Sequence, residues 1–360
     1  MKRYKNCSLL KYNTFGMDQR CDELIVYESE EDAIVLSEIL RQQKGKLPIL
    51  ILGGGSNLLL TEDFHGMVVT PGKRFSVDCK DGSSDKSEVI LNAWAGTNFD
   101  EMVAFAVKQE YFGLENLSLI PGECGASAVQ NIGAYGVEVK DLILEINAIE
   151  IATGKQVTIK AEDCHYGYRS SKFKKEWKDQ YLITNVIYKL HKQFTPHLDY
   201  GNLHKVLSEK NIAPAQLTGE LLRELIIEIR QAKLPDPEDL GNAGSFFMNP
   251  IVDEATLNKV RQQHPNVHYF EVQEPATDVS SDEAERKSTT RYKIPAGWMI
   301  DQCGWKGRSL GRAGVYDKQA LVLVNLGGAT GADVVTLMKA IQENVYQEFG
   351  IHIYPEVNII

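Results

Sequence analysis

The sequence predicts an α+β protein with more than one domain. Three observations carry this. Segments of helical and strand periodicity alternate along the chain. Glycine-rich loops interrupt them without the helix that a nucleotide-binding βαβ unit requires. With 360 residues, 43% hydrophobic and 24% charged, the chain is long enough for two or three cores and has an ordinary globular composition.

Ser29 with Asp32 resembles a capping box, opening a helix that carries Ile34, Leu36, Ile39 and Leu40. The apolar run from Pro48 to Leu52 then reads as a buried strand. Gly53-Gly-Gly-Ser-Asn57 follows, but the next residues, Leu58 to Gly66, read as a short strand and turn, so the Rossmann helix is missing. Such a loop either cradles phosphate through its backbone N–H groups or is a ligand-free glycine hairpin; the loop alone leaves both open. Val89 to Ala95 reads as a strand and Phe99 to Tyr111 as a helix.

Residues 120–136 place Gly122, Gly125, Gly133 and Gly136 among few charges, in a run too irregular for either regular structure. Glycine costs backbone entropy, so such a run is expected where the chain turns at positive φ or lies against a ligand. Leu142 to Ile151, Lys155 to Ile159 and Tyr181 to Leu190 cluster β-branched and aromatic residues as strands do. From Thr218 as N-cap, Leu221, Leu222, Leu225, Ile226 and Ile229 mark a helical face that must end near Lys233, because Pro235 and Pro237 follow. A hydrophilic stretch from Glu271 to Arg291 reads as an exposed, mobile insertion. Thr330 with Asp333 caps a periodic helix closed by Gly350, and Ile351 to Ile360 reads as a last strand.

Composition narrows the function. A net charge of −10 argues against a nucleic-acid-binding surface, and no apolar run approaches a membrane span or a signal-peptide core, so a cytoplasmic protein is expected. The six cysteines are scattered without metal-ligand spacing; they are expected to be reduced, and no metal is expected. Cys124 reads as a small semi-buried side chain rather than a nucleophile, since no base stands beside it. The signatures of zinc proteases, serine hydrolases and P-loop NTPases do not occur.

Seven motifs in order carry a resemblance over nearly the whole chain: Asn13-Thr-Phe-Gly16; Gly53-Gly-Gly-Ser-Asn57; Ile120-Pro-Gly122 with Asn131-Ile-Gly-Ala-Tyr-Gly136; Tyr168-Arg169; Gly241-Asn-Ala-Gly-Ser-Phe-Phe247 with Asn249-Pro250; Ala296-Gly-Trp-Met-Ile-Asp-Gln302; and Pro355-Glu356. Together they resemble the UDP-N-acetylenolpyruvoylglucosamine reductases, flavin enzymes that reduce an enolpyruvyl ether to the lactyl ether of UDP-N-acetylmuramic acid. Ala128 departs from the family, which commonly has proline there.

The resemblance implies an FAD-binding fold of the vanillyl-alcohol oxidase type. Two FAD-binding subdomains would span residues 1–72 and 73–234, an α+β substrate-binding domain 235–340, and a returning C-terminal segment 341–360. It implies non-covalent FAD, NADPH as co-substrate, a UDP-sugar enolpyruvyl ether as substrate, no nucleic-acid or membrane partner, and a monomer. Gly53, Gly54, Gly55, Ser56, Asn57, Ile120, Pro121, Gly122, Gly125, Ala126, Ser127, Asn131, Gly133 and Arg169 would hold FAD, largely through backbone N–H donors. Tyr168, Tyr200, Lys233, Asn249 and Gln302 would meet the substrate, joined by Arg230, one turn before Lys233 on the same helix side, and by Tyr269, where one form of the family carries a mobile tyrosine loop.

Hydride delivery to the β-carbon of an enolpyruvyl ether drives electron density into its carboxylate, so the site needs donors at that carboxylate and a proton source for the α-carbon. The resemblance assigns the first role to Arg169 and Glu356 and the second to Ser245. A glutamate beside a carboxylate is sensible only where one of the two carries a proton, which burial and like charge favour. Read without the resemblance, Glu356 is a surface glutamate, Ser245 a turn serine or a functional one, and Arg169 a solvated arginine stacked on tyrosine. Two other functions fit the pattern less well. A carbohydrate or aldonolactone oxidase of the same fold would use oxygen as acceptor, and a non-catalytic flavin or nucleotide sensor would be expected to lack the proton donor or the carboxylate partner.

Overall fold

A computed structural model describes residues 1–82, 87–199, 203–274 and 289–360. They form two compact units: residues 1–13, 18–56 and 62–232 in the first, and 14–17, 57–61 and 233–360 in the second.

The first unit holds two sheets. In one, the Arg20–Tyr27 strand runs parallel to Phe64–Pro71, which is parallel to Ile49–Ile51, while Lys2–Ser8 lies antiparallel on the edge. The edge strand is exposed along most of its length and carries Lys2, Arg3 and Lys5, charges that discourage edge-to-edge pairing. The other sheet is antiparallel, in the order Gln156–Lys160, Ile143–Glu150, Tyr181–His191, Glu88–Trp94, Val77–Asp81.

Ser29 caps the helix Glu30–Gln43, its hydroxyl accepting from Asp32 N at 3.1 Å. The buried face of that helix is Ala33, Leu36, Ser37 and Leu40, whereas Ile34 and Val35 are exposed; the 3.6-residue period overrides side-chain hydrophobicity there. Leu36 and Leu40 join Ile25, Tyr27, Val69, Trp94 and Leu182 in one cluster fed by both sheets. Tyr27, fully buried, spans them: its hydroxyl donates to the Ile183 carbonyl at 2.7 Å. A larger core, including Phe99, Met102, Val103, Val186 and Tyr188, packs the helix Phe99–Lys108 on the antiparallel sheet.

Three sequence expectations change. The 120–136 run is not wholly irregular, since Cys124–Gln130 is an α-helix and Gly133–Ala134 pairs with Val137–Glu138. Tertiary bonds impose that helix: Cys124 N donates to Thr97 O and Gly125 N to Ala95 O, both at 2.9 Å, and Asn131 ends it at φ +48°. The ends of the Glu271–Arg291 stretch are paired strands, Phe270–Glu274 with Thr289–Lys293; the residues between lie outside those described. The last strand is shorter than its alternation suggests, regular only over Asn358–Ile359.

In the second unit, Asn242–Ser245, Val322–Asn325, Ala313–Val315 and Ser309–Leu310 form an antiparallel sheet. Helix Gly331–Phe349 opens with the expected Thr330–Asp333 capping box, closes at Gly350 (φ +66°), and buries Val334, Leu337, Ile341 and Val345. Asn358–Ile359 pairs in parallel with Leu58–Leu59, so the end of the chain is tied to a segment near its beginning.

Candidate active site

In the first unit the two glycine loops touch. Ser56 Oγ donates to Pro121 O at 3.1 Å, and a Cβ on Gly122, which has φ +114°, would lie 3.0 Å from that hydroxyl. Gly54 is pressed against the Glu123 side chain, whose two oxygens occupy the space a Cβ would need. Lys73 Nζ stands 3.6 Å from Glu123 Oε1, while Oε2 is buried without a hydrogen-bond partner among the described residues. Burial holds the Glu123 carboxyl above its usual range, opposed by Lys73 and by the Gly54 N–H. Glu123 was given no role from sequence; its only signal was being a charge in an almost uncharged run.

Several expected cofactor residues have their polar groups committed to the protein. The Gly125 N–H is used by Ala95 O, and the Ser127 hydroxyl donates to Cys124 O at 2.7 Å and lies 3.0 Å from the Tyr188 hydroxyl. Ala126 crowds Gly53, whose Cβ would come within 2.8 Å of the alanine methyl. Ile120 is half-buried against the larger core. Gly55 (φ +67°) has no room for a side chain over the Tyr12 carbonyl.

Asn131 builds the arginine site. Fully buried, it donates through Nδ2 to Glu138 Oε2 and to Gly167 O, both at 2.8 Å, and accepts from Lys140 N at 3.2 Å. The Gly167 bond holds the Gly167–Ser170 turn, which carries Arg169 at φ +52°. Arg169 reaches back, Nη2 donating to Gly133 O at 2.6 Å and Nη1 to Asn131 O at 3.3 Å. Gly133 admits it: a Cβ there would lie 3.2 Å from Nη1. Tyr168 is exposed, with the Arg169 guanidinium 5.7 Å from its ring centre.

Arg230 belongs to the same neighbourhood. Desolvation lowers its pKa, the Tyr135 and Asp100 side chains oppose that, and the Arg169 charge adds to it. Its Nε is buried without a partner among the described residues. Two guanidinium charges that act on each other make a field that suits an anion. Tyr135 (φ +48°) was also given no role; its place in the glycine run was the available signal. Lys233 is exposed at the end of the same helix, and Tyr200 lies outside the described residues.

In the second unit the residues just after Ser245 meet the segment that carries Glu356 through an isolated antiparallel bridge between Phe247 and Pro355. Phe246 N donates to Leu321 O at 2.7 Å, Glu356 N to Phe246 O at 2.8 Å, and Met248 N to Tyr354 O at 2.9 Å. Ser245 is exposed after Gly244 (φ +68°), and Glu356 is half-buried. Asn57 holds the Glu356 segment: Nδ2 donates to Glu356 O at 3.2 Å, and its carbonyl accepts from Asn358 N at 3.1 Å. Asn249 Oδ1 accepts from Ala296 N at 2.9 Å, holding the helix Ala296–Gln302, whose last residue, Gln302, is exposed. Tyr269 packs edge-on against Tyr292 with Arg261 5.9 Å from its ring centre.

Residues 236–360 match the model for the C-terminal domain of UDP-N-acetylenolpyruvoylglucosamine reductase, and residues 22–160 the model for an FAD binding domain. The UDP-N-acetylenolpyruvoylglucosamine reductase of Bacteroides fragilis (strain YCH46) is 43% identical over 353 residues, 98% of this chain and 98% of its own. The chain belongs to the UDP-N-acetylenolpyruvoylglucosamine reductase family. A second member, from Flavobacterium johnsoniae, is 40% identical and covers 100% of both chains. Among solved structures, the UDP-N-acetylenolpyruvylglucosamine reductase of Thermus caldophilus aligns with a TM-score of 0.63 at 21% identity, over 99% of this chain and 98% of its own. The 6-hydroxy-D-nicotine oxidase of Arthrobacter nicotinovorans aligns with a TM-score of 0.51 at 12% identity, over 98% and 86%, a likeness of fold alone. The fold is thus α+β, of the FAD-binding vanillyl-alcohol oxidase type expected from the motifs.

Glu123 offers a fit test for FAD. Its carboxyl oxygens fill the space over Gly54 that phosphate oxygens would take, with the Lys73 ammonium 3.6 Å from Oε1. The loop therefore suits a pyrophosphate in its backbone donors, while the glutamate itself competes for the same place. Among the described residues, no helix is long and apolar enough to cross a membrane, and no cluster of His, Cys, Asp and Glu suits a metal ion.

Proposed function

We propose that the chain reduces UDP-N-acetylenolpyruvoylglucosamine to UDP-N-acetylmuramate with NADPH as the electron source, and that Arg169, Ser245 and Glu356 carry the substrate half of the reaction. Bound FAD supplies the hydride that reaches the enolpyruvyl β-carbon. Residues of the 53–57 and 120–133 loops would hold its pyrophosphate, with Gly54 as a backbone donor.

In this reading Arg169, fixed from below by the Gly133 and Asn131 carbonyls, meets the substrate carboxylate as electron density moves into it. Arg230 adds positive field to the same anion. Glu356 shares a proton with that carboxylate, and the Ser245 hydroxyl delivers a proton to the α-carbon. Lys233, Tyr200, Asn249, Gln302 and Tyr269 remain candidates for the nucleotide and sugar. The bond between Glu356 N and Phe246 O is the observation that best supports the pairing of Ser245 with Glu356. The proposal includes a monomer in the cytoplasm; six free cysteines suit a reducing compartment.

The test is anaerobic NADPH oxidation by purified, flavin-loaded protein. Addition of UDP-N-acetylenolpyruvoylglucosamine should start turnover with stoichiometric formation of UDP-N-acetylmuramate. A flavin-loaded sample that oxidises NADPH no faster with the substrate than without it would overturn the proposal.

A further inference from the structure

The chain leaves the first unit after residue 13, contributes residues 14–17 to the second, and returns at residue 18. At the feet of this excursion stand two cysteines. In the register of the edge pair Lys2–Ser8 and Arg20–Tyr27, Cys7 is the direct partner of Cys21. Direct partners in an antiparallel pair put their side chains on the same face, with Cα atoms about 4.5–5.5 Å apart. That lies inside the roughly 4.4–6.8 Å span of disulfides. Both thiols are free, and each lies close enough to Tyr12 to influence its ionisation.

The two sulfurs differ in access. Cys21 is 2% exposed, whereas Cys7 is half-buried at an open cleft of about 410 Å³ lined also by Tyr4, Ser8, Leu10, Lys11 and Tyr12. Burial pushes the Cys21 thiol up to about 11, so an oxidant in solution meets Cys7 first. The other cysteines are placed differently: Cys124 and Cys164 are buried, and Cys79 and Cys303 lie on other elements.

We propose that Cys7 and Cys21 form a reversible oxidation site, in which peroxide converts the facing thiols into a cross-strand disulfide that closes the root of the Ser8–Arg20 excursion. The steps balance. The Cys7 thiolate attacks hydrogen peroxide, breaking the O–O bond to give a Cys7 sulfenic acid and hydroxide. The Cys21 sulfur then attacks the Cys7 sulfur, forming the S–S bond as water leaves, so two thiols and one peroxide become one disulfide and two waters. A thiol reductant reverses it through a mixed disulfide. The segment so closed holds the Asn13-Thr-Phe-Gly16 motif and the Ser8 Oγ bond to Asp18 Oδ1 at 2.6 Å, so the staple reinforces a loop that already closes on itself. A closed loop of about 15 residues restricts the unfolded chain appreciably.

The experiment uses the full flavin-loaded chain. It is exposed to hydrogen peroxide, quenched, alkylated with N-ethylmaleimide, and digested without reduction for mass spectrometry. The expected product is one linked peptide pair joining Cys7 to Cys21, two hydrogen atoms lighter than its parts, absent after dithiothreitol or in protein unfolded before oxidation at the same dose. In Cys21→Ser, dimedone should trap the Cys7 sulfenic acid instead. The oxidised wild type should also melt a few degrees higher than the reduced protein. Recovery of Cys7 and Cys21 on separate alkylated or over-oxidised peptides, or in disulfides shared among all six cysteines, would overturn the proposal.

Discussion

Replacing Asn131 should damage the arginine site from beneath without touching any group assigned to the substrate. Asn131→Ala removes two donated bonds, to Glu138 Oε2 and Gly167 O, and one accepted from Lys140 N, all from a fully buried side chain. Each lost bond costs about 1 kcal/mol, more where a buried group is left unpaired. Alanine must also adopt φ +48°, which asparagine tolerates better, adding roughly 1 kcal/mol. The total is about 4 kcal/mol, a large share of the roughly 5–15 kcal/mol that holds a domain together. Asn131→Gly isolates the backbone part, since glycine accepts positive φ freely and should recover about 1 kcal/mol unless its extra chain entropy offsets it. Urea unfolding followed by tryptophan fluorescence measures both variants. The released Gly167–Ser170 turn should also loosen Arg169, raising KM for the enolpyruvyl substrate about tenfold or more. A stability loss below about 1 kcal/mol in both variants, or an unchanged KM, would refute this reasoning.

Glu123 and Tyr27 give two further predictions. Because the folded state raises the Glu123 carboxyl above 4.5, its ionisation costs stability progressively as pH rises from that ordinary value through the raised one. Glu123→Gln should therefore be more stable than the wild type above that window and equal below it, by thermal melting across pH. The same variant should bind FAD about tenfold more tightly at neutral pH, measured by flavin fluorescence, with the gain shrinking in acid; weaker binding would show the carboxylate to be a ligand rather than a competitor. Tyr27→Phe leaves the Ile183 carbonyl without its partner and should cost about 1 kcal/mol in melting experiments, with FAD affinity unchanged.

Much of this molecule is legible in sequence where the cause is local. The Ser29 and Thr330 caps, the end of the Gly219–Lys233 helix before two prolines, and the strands from Glu88–Trp94 to Tyr181–His191 follow from periodicity and end signals. What escaped has distant causes. Cys124–Gln130 is short, rich in small residues and without an apolar period, and it is held by carbonyls at Ala95 and Thr97. The bonds that tie Asn57 to Glu356 and Asn358, about three hundred positions away, leave no local trace in the sequence. The candidate site shows the same division. Motif order led to Arg169, Ser245 and Glu356, whereas the effect of the Arg169 charge on Arg230 and the Glu123 carboxyl over Gly54 depend on packing that no pattern encodes.

The most direct test of the proposed chemistry separates the two half-reactions in Ser245→Ala. Ser245 is exposed, so the substitution should leave folding and flavin content intact. Stopped-flow reduction by NADPH should proceed at nearly the wild-type rate, while reoxidation of the reduced protein by UDP-N-acetylenolpyruvoylglucosamine should slow by roughly 10² or more, the usual loss when a general acid is removed. Equal slowing of both half-reactions, or reoxidation at the wild-type rate, would contradict the role given to Ser245 and with it the pairing of Ser245 with Glu356.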